Sequence, residues 1–125
     1  MDVAMKFTLA KHERSELRAK NEYEIYSCLN AIGKPEVELY GIPSVYYYGR
    51  WKDYIMIGIT LLDKNLEELE QEKKIDTLDY LIVCKQFMIT SKYMHSCGIY
   101  HGDLNFNNIM FRGNNVFFIG KYTLF

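Results

Sequence analysis

The segment Thr77 to Ser96 constrains this chain more than any other. Asp76-Thr77-Leu78-Asp79 reads as a capping box, an N-cap Asp with a carboxylate three positions on. Gly98 supplies the stop. Between these signals Leu78, Leu81, Ile82, Val83, Cys84, Phe87, Met88, Ile89 and Met94 wrap most of the circumference. A helix apolar nearly all round is a buried helix, so this one is expected to be the most buried of the fold. With 125 residues the chain has room for a single domain around it.

The rest of the chain reads as shorter pieces. Val3 to Leu9 is a strand with Lys6 inside it. Lys11 to Ile32 is a helix, with Leu17, Ile25, Leu29 and Ile32 at helical spacing. Gly33-Lys34-Pro35 stops it, and Glu36 to Gly41 is a loop. Val45 to Gly49 and Tyr54 to Leu62 are strands, with Arg50 to Asp53 as the turn of a hairpin. Asp63 to Glu72 is a short acidic helix. Ile109 to Phe111 and Val116 to Ile119 form a second hairpin around Arg112 to Asn115. Strands come early and helix late, which predicts an α+β fold in two unequal layers. The first three strands are expected to form one antiparallel sheet, with the first helix packed on it.

Charge and hydropathy exclude several partners. Fifteen basic and sixteen acidic residues leave a net charge of -1, against the basic excess of a nucleic-acid binder. The longest apolar stretch, Tyr54 to Leu62, is far short of the ~20 residues of a membrane span. No charged-then-apolar leader follows Met1. Cys28, Cys84 and Cys97 are odd in number and widely spaced, so they suggest neither a disulfide framework nor a zinc site. These features together suit an intracellular setting, cytoplasmic or nuclear.

The polar cluster Tyr100-His101-Gly102-Asp103-Leu104-Asn105-Phe106-Asn107-Asn108 lies between the long helix and the last hairpin. By composition alone it is a turn. Its spacing says more. An Asp five residues before an Asn, followed at once by an apolar strand, is the pattern of a phosphotransferase catalytic loop. Asp103 would orient or deprotonate the acceptor hydroxyl, and the Asn108 carbonyl would hold a Mg²⁺ that bridges phosphates. Val3-Ala4-Met5-Lys6 matches a strand lysine that pairs with phosphates, and Glu22 on the following helix is placed to hold it.

Here the chain resembles the protein kinases, and more narrowly the casein kinase 1 group. Asn21-Glu22-Tyr23-Glu24-Ile25-Tyr26 is similar to the helix that supplies the lysine's partner. Gly41-Ile42-Pro43-Ser44-Val45-Tyr46 resembles that group's Gly-Ile-Pro strand start. Tyr54 to Leu62, followed by Asn65-Leu66-Glu67-Glu68-Leu69, resembles its hinge and next helix. Gln86 and Tyr93-Met94-His95-Ser96 resemble the end of its long C-lobe helix. The resemblance covers Val3 to Tyr122. It implies a partial kinase-like fold, with 1–62 as an N-lobe remnant and hinge and 63–125 as the start of the C-lobe through the catalytic loop. It also implies ATP and Mg²⁺ as cofactors and a protein substrate or a partner kinase. By the same match Ile59 is the gatekeeper, and Thr60, Leu61 and Leu62 are the hinge that binds adenine. His101 is a scaffold of the loop.

The chain also departs from the family's pattern. No G-x-G-x-x-G occurs, and the chain starts at what would be the third strand of the N-lobe. Gly102 stands for an Arg, and Asn105 for the Lys that neutralises the transferred group. His101-Gly102-Asp103-Leu104-Asn105 also resembles small-molecule phosphotransferases of the aminoglycoside and choline type. Gly120, followed by Lys121, takes the place of the metal-binding Asp; aligned by the glycine instead, Phe118 would. No Asp or Glu follows Asp103. The activation segment and substrate-binding helices do not follow. The expectation is a serine/threonine kinase homologue that has lost phosphoryl transfer and binds ATP weakly, with little dependence on Mg²⁺. The alternatives are a pseudokinase that binds a protein, or a non-functional gene fragment. Strand Val3–Leu9 as a free edge, and bare faces of Thr77–Ser96, are expected to promote self-association. If that helix proves exposed along most of its length, the kinase-like reading of the second half fails.

Overall fold

A computed structural model describes residues 2–120 and 122–124; Met1, Lys121 and Phe125 lie outside the described residues. The first sheet has three antiparallel strands in the order β1-β3-β2, with β1 Val3–Leu9, β2 Val45–Trp51 and β3 Tyr54–Thr60. Lys6 pairs with Ile57 and Ala4 with Ile59, so these four side chains share one face. That face carries α1, Glu13–Leu29. Tyr48 of β2 stacks on Tyr23 of α1 at 4.3 Å, and Arg50 reaches Glu16 at 2.9 Å. The opposite face is open: Phe7 is 54% and Trp51 52% exposed.

The expected helix Lys11–Ile32 is shorter. It ends at Leu29 and tightens into a 3-10 turn, Asn30–Ile32. Asn30 explains the change. It is buried, its Nδ2 donates to the Tyr26 and Pro43 carbonyls, and its Oδ1 accepts from the Val45 N–H. A buried amide so used holds the helix end against the start of β2. The expected loop at Glu36–Gly41 is largely a second 3-10 turn, Glu36–Tyr40, closed by Gly41 at φ +74°.

Beyond β3 come α2, Leu66–Gln71, and α3, Thr77–Ser96. The capping box forms as read: Asp76 accepts from the Asp79 N–H, and Asp79 accepts from the Asp76 N–H. The burial of α3 does not follow. Only Val83, Thr90 and Met94, on one stripe, are buried, while Leu78, Leu81 and Met88 are 64%, 60% and 72% exposed. α3 is no more buried than α1, which hides Ala19, Tyr26 and Leu29. The all-round apolar pattern shows what a helix can bury, and the described residues cover one face only. With twelve of its twenty residues exposed, α3 fails the condition set for the kinase-like reading of the second half.

The loop beyond α3 is framed by two small sheets. β4, Ile99–His101, pairs with β7, Tyr122–Leu124, and β5, Ile109–Arg112, with β6, Asn115–Phe118. β4 and β7 have no counterpart in the sequence reading. One apolar cluster, including Tyr26, Leu29, Ile42, Ile57, Met94, Ile99 and Tyr122, joins the sheet, both long helices and β7. No helix among the described residues is long and apolar enough to cross a membrane.

Two tyrosines in this cluster make stability sensitive to alkali. Tyr26 and Tyr122 pack edge to face at 5.2 Å, and burial pushes both phenols well above their usual range, helped by the Glu22 carboxylate nearby. The unfolded chain releases these protons near pH ~10 while the folded chain holds them. Stability is therefore complete below pH ~10 and falls above it, by about 1.4 kcal/mol per phenol per pH unit. Denaturant midpoints from pH 8 to 12 should be flat and then drop, and Tyr26→Phe should lessen the drop.

Candidate functional site

Strand alternation and helix periodicity converge on one place. Lys6 points from β1 toward α1, and Glu22 points back. The Lys6 Nζ lies 2.7 and 2.9 Å from the two Glu22 carboxylate oxygens. The pair fronts a cleft of about 860 Å³ that is also lined by Arg18, Asp103, Asn108 and Gly120. Four of the residues singled out in the sequence thus share one cavity: Lys6, Glu22, Asp103 and Asn108.

The loop that carries Asp103 is held by its own side chains. The Asp103 N–H donates to His101 Nδ1 at 3.2 Å, which leaves His101 Nε2 to donate to the Ile119 carbonyl at 2.5 Å. The imidazole also packs edge to face on Tyr122 at 5.2 Å. His101, with both nitrogens engaged, is a strut between the loop and the end of β6. Asn105 Oδ1 accepts from the Asn107 N–H, and its Nδ2 donates to Asp103 Oδ1 at 3.1 Å. Asn108 Nδ2 donates to the Asp103 carbonyl at 2.8 Å, and the Ile119 N–H donates to the Asn108 carbonyl.

The metal position fails on its donors. A Cβ on Gly120 would stand 2.8 Å from Asn108 Cγ and Nδ2, at φ +101°. No carboxylate can be carried there while Asn108 keeps this place. Among the described residues no group of three His, Cys, Asp or Glu side chains could hold a metal ion. Mg²⁺ asks for near-octahedral oxygen donors, usually one or two carboxylates with phosphates. Asn108, expected as a metal ligand, keeps Oδ1 while its Nδ2 donates to the Asp103 carbonyl, but one neutral oxygen with no carboxylate at position 120 does not fit the ion.

The hinge residues lie elsewhere. Ile59, Thr60, Leu61 and Leu62 do not line the cleft. Ile59 packs half-buried against the central cluster. The Thr60 N–H donates to the Ser44 carbonyl at 3.0 Å, and its hydroxyl accepts from the Ser44 N–H at 2.8 Å. Leu61 is exposed and Leu62 buried. The structure brings the lysine and loop residues together and leaves the hinge apart.

Two charged residues with notable placement escaped the sequence reading. Arg18 lies one helical turn before Glu22 on the cleft stripe, and that i, i+4 spacing was its only signal. Glu38, whose side chain is 8% exposed, accepts from Ser44 Oγ at 2.6 Å and lies 2.5 Å from Arg112 NH2 and 3.2 Å from Thr60 Oγ1. One carboxylate thus joins the Glu36–Tyr40 turn, β2, β3 and β5. Nothing local in the sequence distinguished it from a solvated acid.

The arrangement is a cleft on a small α+β scaffold, with a lysine–glutamate pair and a loop Asp and Asn among its lining residues. No protein-family model matches the chain. Two curated proteins are similar to it. It is 28% identical over 112 residues to casein kinase 1-like protein HD16 of Oryza sativa subsp. japonica, across 87% of this chain and 15% of that protein. It is 30% identical over 110 residues to casein kinase I homolog 3 of Schizosaccharomyces pombe, across 86% of this chain and 23% of that protein. The chain therefore spans under a quarter of the length of these relatives, with a weak likeness to casein kinase 1 proteins.

Proposed function

We propose that this chain is a kinase-like module that binds a phosphate-bearing ligand, with ATP as the form implied by the resemblance, and does not transfer the phosphoryl group. The observation that carries the reading is the cleft in which Lys6, held by Glu22, faces Asp103 and Asn108. A strand lysine clamped by a helix carboxylate is pre-positioned for phosphate oxygens. The loop acid is in place to accept a hydrogen bond from a ligand hydroxyl. The adenine half of the ligand gains little, because Thr60 to Leu62 stand outside the cleft. Binding is accordingly weak.

Thermal unfolding with ATP tests this. A ligand that binds only the folded state raises the melting temperature by mass action, and millimolar affinity gives a rise of about 1–3 °C at millimolar ATP. That rise should survive EDTA and vanish in Lys6→Met. Submicromolar affinity that collapses on adding EDTA would overturn the reading, as would no rise at saturating ATP.

A second reading is a protein-binding module, which includes a partner kinase or a second copy of the chain. It is favoured by the open sheet face with Phe7 and Trp51 and by the bare faces of α3.

A further inference from the structure

We infer that two copies of this chain pair symmetrically, with the outer faces of their β1-β3-β2 sheets packed together. This rests on the second reading above, a protein-binding module, and names the partner and the surface. Strand register defines the face. Across β3, Met5 and Tyr47 flank Gly58, and Leu9 and Trp51 flank Tyr54. Phe7 lies between them, opposite Met56. These positions alternate with those turned toward α1, so they point away from the helix. The solvated face of an antiparallel sheet ordinarily carries polar residues. This one carries no charged residue, and its six large side chains on Met5, Phe7, Leu9, Tyr47, Trp51 and Tyr54 are 37% to 54% exposed.

Shape, area and charge favour a second copy as the occupant. Tyr47 lies along β2 over Gly49, where a Cβ would stand 2.6 Å from the Tyr47 Cζ. A Cβ on Gly58 would stand 2.9 Å from Met5 Sδ. The two glycines thus let their neighbours lie down on the sheet, and a flat face can approach another at the ~10 Å spacing of stacked sheets. Tyr54 holds Phe7 edge-on at 6.2 Å and stacks on Trp51 at 6.4 Å, so the rings are ordered before pairing and lose little freedom by it. The six side chains offer about 100 Å² each, or about 600 Å² per copy. Two copies together bury about 1,200 Å², the lower end of stable interfaces. An uncharged face meets its own copy without like-charge repulsion, as a two-fold contact requires. Lys52 Nζ, 4.6 Å over the Trp51 ring, begins a polar rim. The bare side of α3 suits self-pairing less, because Lys85 and Lys92 share the stripe of Leu78, Leu81 and Met88 by helical spacing.

Size-exclusion chromatography of the full chain with light scattering, across micromolar concentrations, tests this. The expected mass is twice the 14.8 kDa of one chain, halving on dilution. Trp51 is the single tryptophan of the sequence and reports the same step. Its emission should move to the red, and its quenching by acrylamide should rise, along the same dilution curve. Phe7→Glu and Tyr47→Lys, each with an unchanged circular dichroism spectrum, should weaken pairing at least about a hundredfold, since each sets like charges into an apolar contact. Leu81→Glu on α3 should pair as wild type. A dimer that both sheet variants leave intact, or that Leu81→Glu alone breaks, would overturn the inference and leave the protein-binding reading standing. Trp51 emission that stays constant while the mass halves would overturn it without any variant. A spread of ever larger species would overturn it in favour of open-ended pairing at the β1 edge. A monomer at every concentration would overturn both it and the second-copy form of that reading.

Discussion

Transfer of the γ-phosphate of ATP to casein, or to the chain itself, is expected at background, with Asp103→Ala giving the same counts as wild type. Phosphoryl transfer is almost wholly positioning and electrostatic stabilisation. Asp103 is present, but the groups that would neutralise developing charge around it are not. Gly120 carries no carboxylate, and a Cβ there would stand 2.8 Å from the Asn108 amide. Asn105, where the kinase pattern has a Lys, brings a neutral amide whose Nδ2 is spent on Asp103 Oδ1. Each power of ten lost corresponds to about 1.4 kcal/mol of barrier, and two missing charges account for many. Counts well above background that Asp103→Ala abolishes would sink this expectation.

Gly41→Ala should be strongly destabilising. Gly41 sits at φ +74°, in the left-handed region. A Cβ there would lie 2.6 Å from Thr90 Oγ1, 2.8 Å from Gln86 Nε2 and 3.1 Å from the Val116 carbonyl. The first two come from α3 and the third from β6, so relief in one direction meets the other element. The Gly41 carbonyl also accepts from the Phe118 N–H at 2.9 Å. Left-handed strain and overpacking together cost about 3 kcal/mol or more. That lowers the melting temperature by on the order of 10 °C. Gly113→Ala, where a Cβ would meet nothing within 4 Å, is the control for strain alone. Equal melting temperatures for the two variants would show that close packing at Gly41 contributes nothing.

What was legible in the sequence follows physical range. Residues 77–96 were bounded correctly, because a capping box and a terminal Gly act within one turn. The strand cores of β1, β2 and β3 were visible in their apolar runs. β4 and β7 were not, since three-residue strands carry no periodicity and pair across a loop. The burial of α3 was misread for a related reason: periodicity describes one element, and coverage depends on another. At the site, the meeting of Lys6 and Glu22 was legible through the match to a strand lysine held by a helix glutamate, and the two meet at 2.7 Å. The hinge placement came from resemblance alone, and the geometry does not bring Thr60 to Leu62 to the cleft. Arg18 and Glu38 were illegible, since a charged side chain on a helix or turn looks solvated until its surroundings are known.

The Glu38 carboxylate also bears on how the molecule breathes. Swinging the three-stranded sheet away from the β5–β6 hairpin would pull Ser44 and Thr60 one way and Arg112 the other. The acid left between them would be dry and without donors, a costly state. Jaw-like opening about residues 60–63 is therefore expected to be a slow motion. The faster one belongs to the first turns of α1, where Arg14, Leu17 and Arg18 are exposed. In amide exchange Thr60 should be among the last protons lost and the first turn of α1 among the earliest.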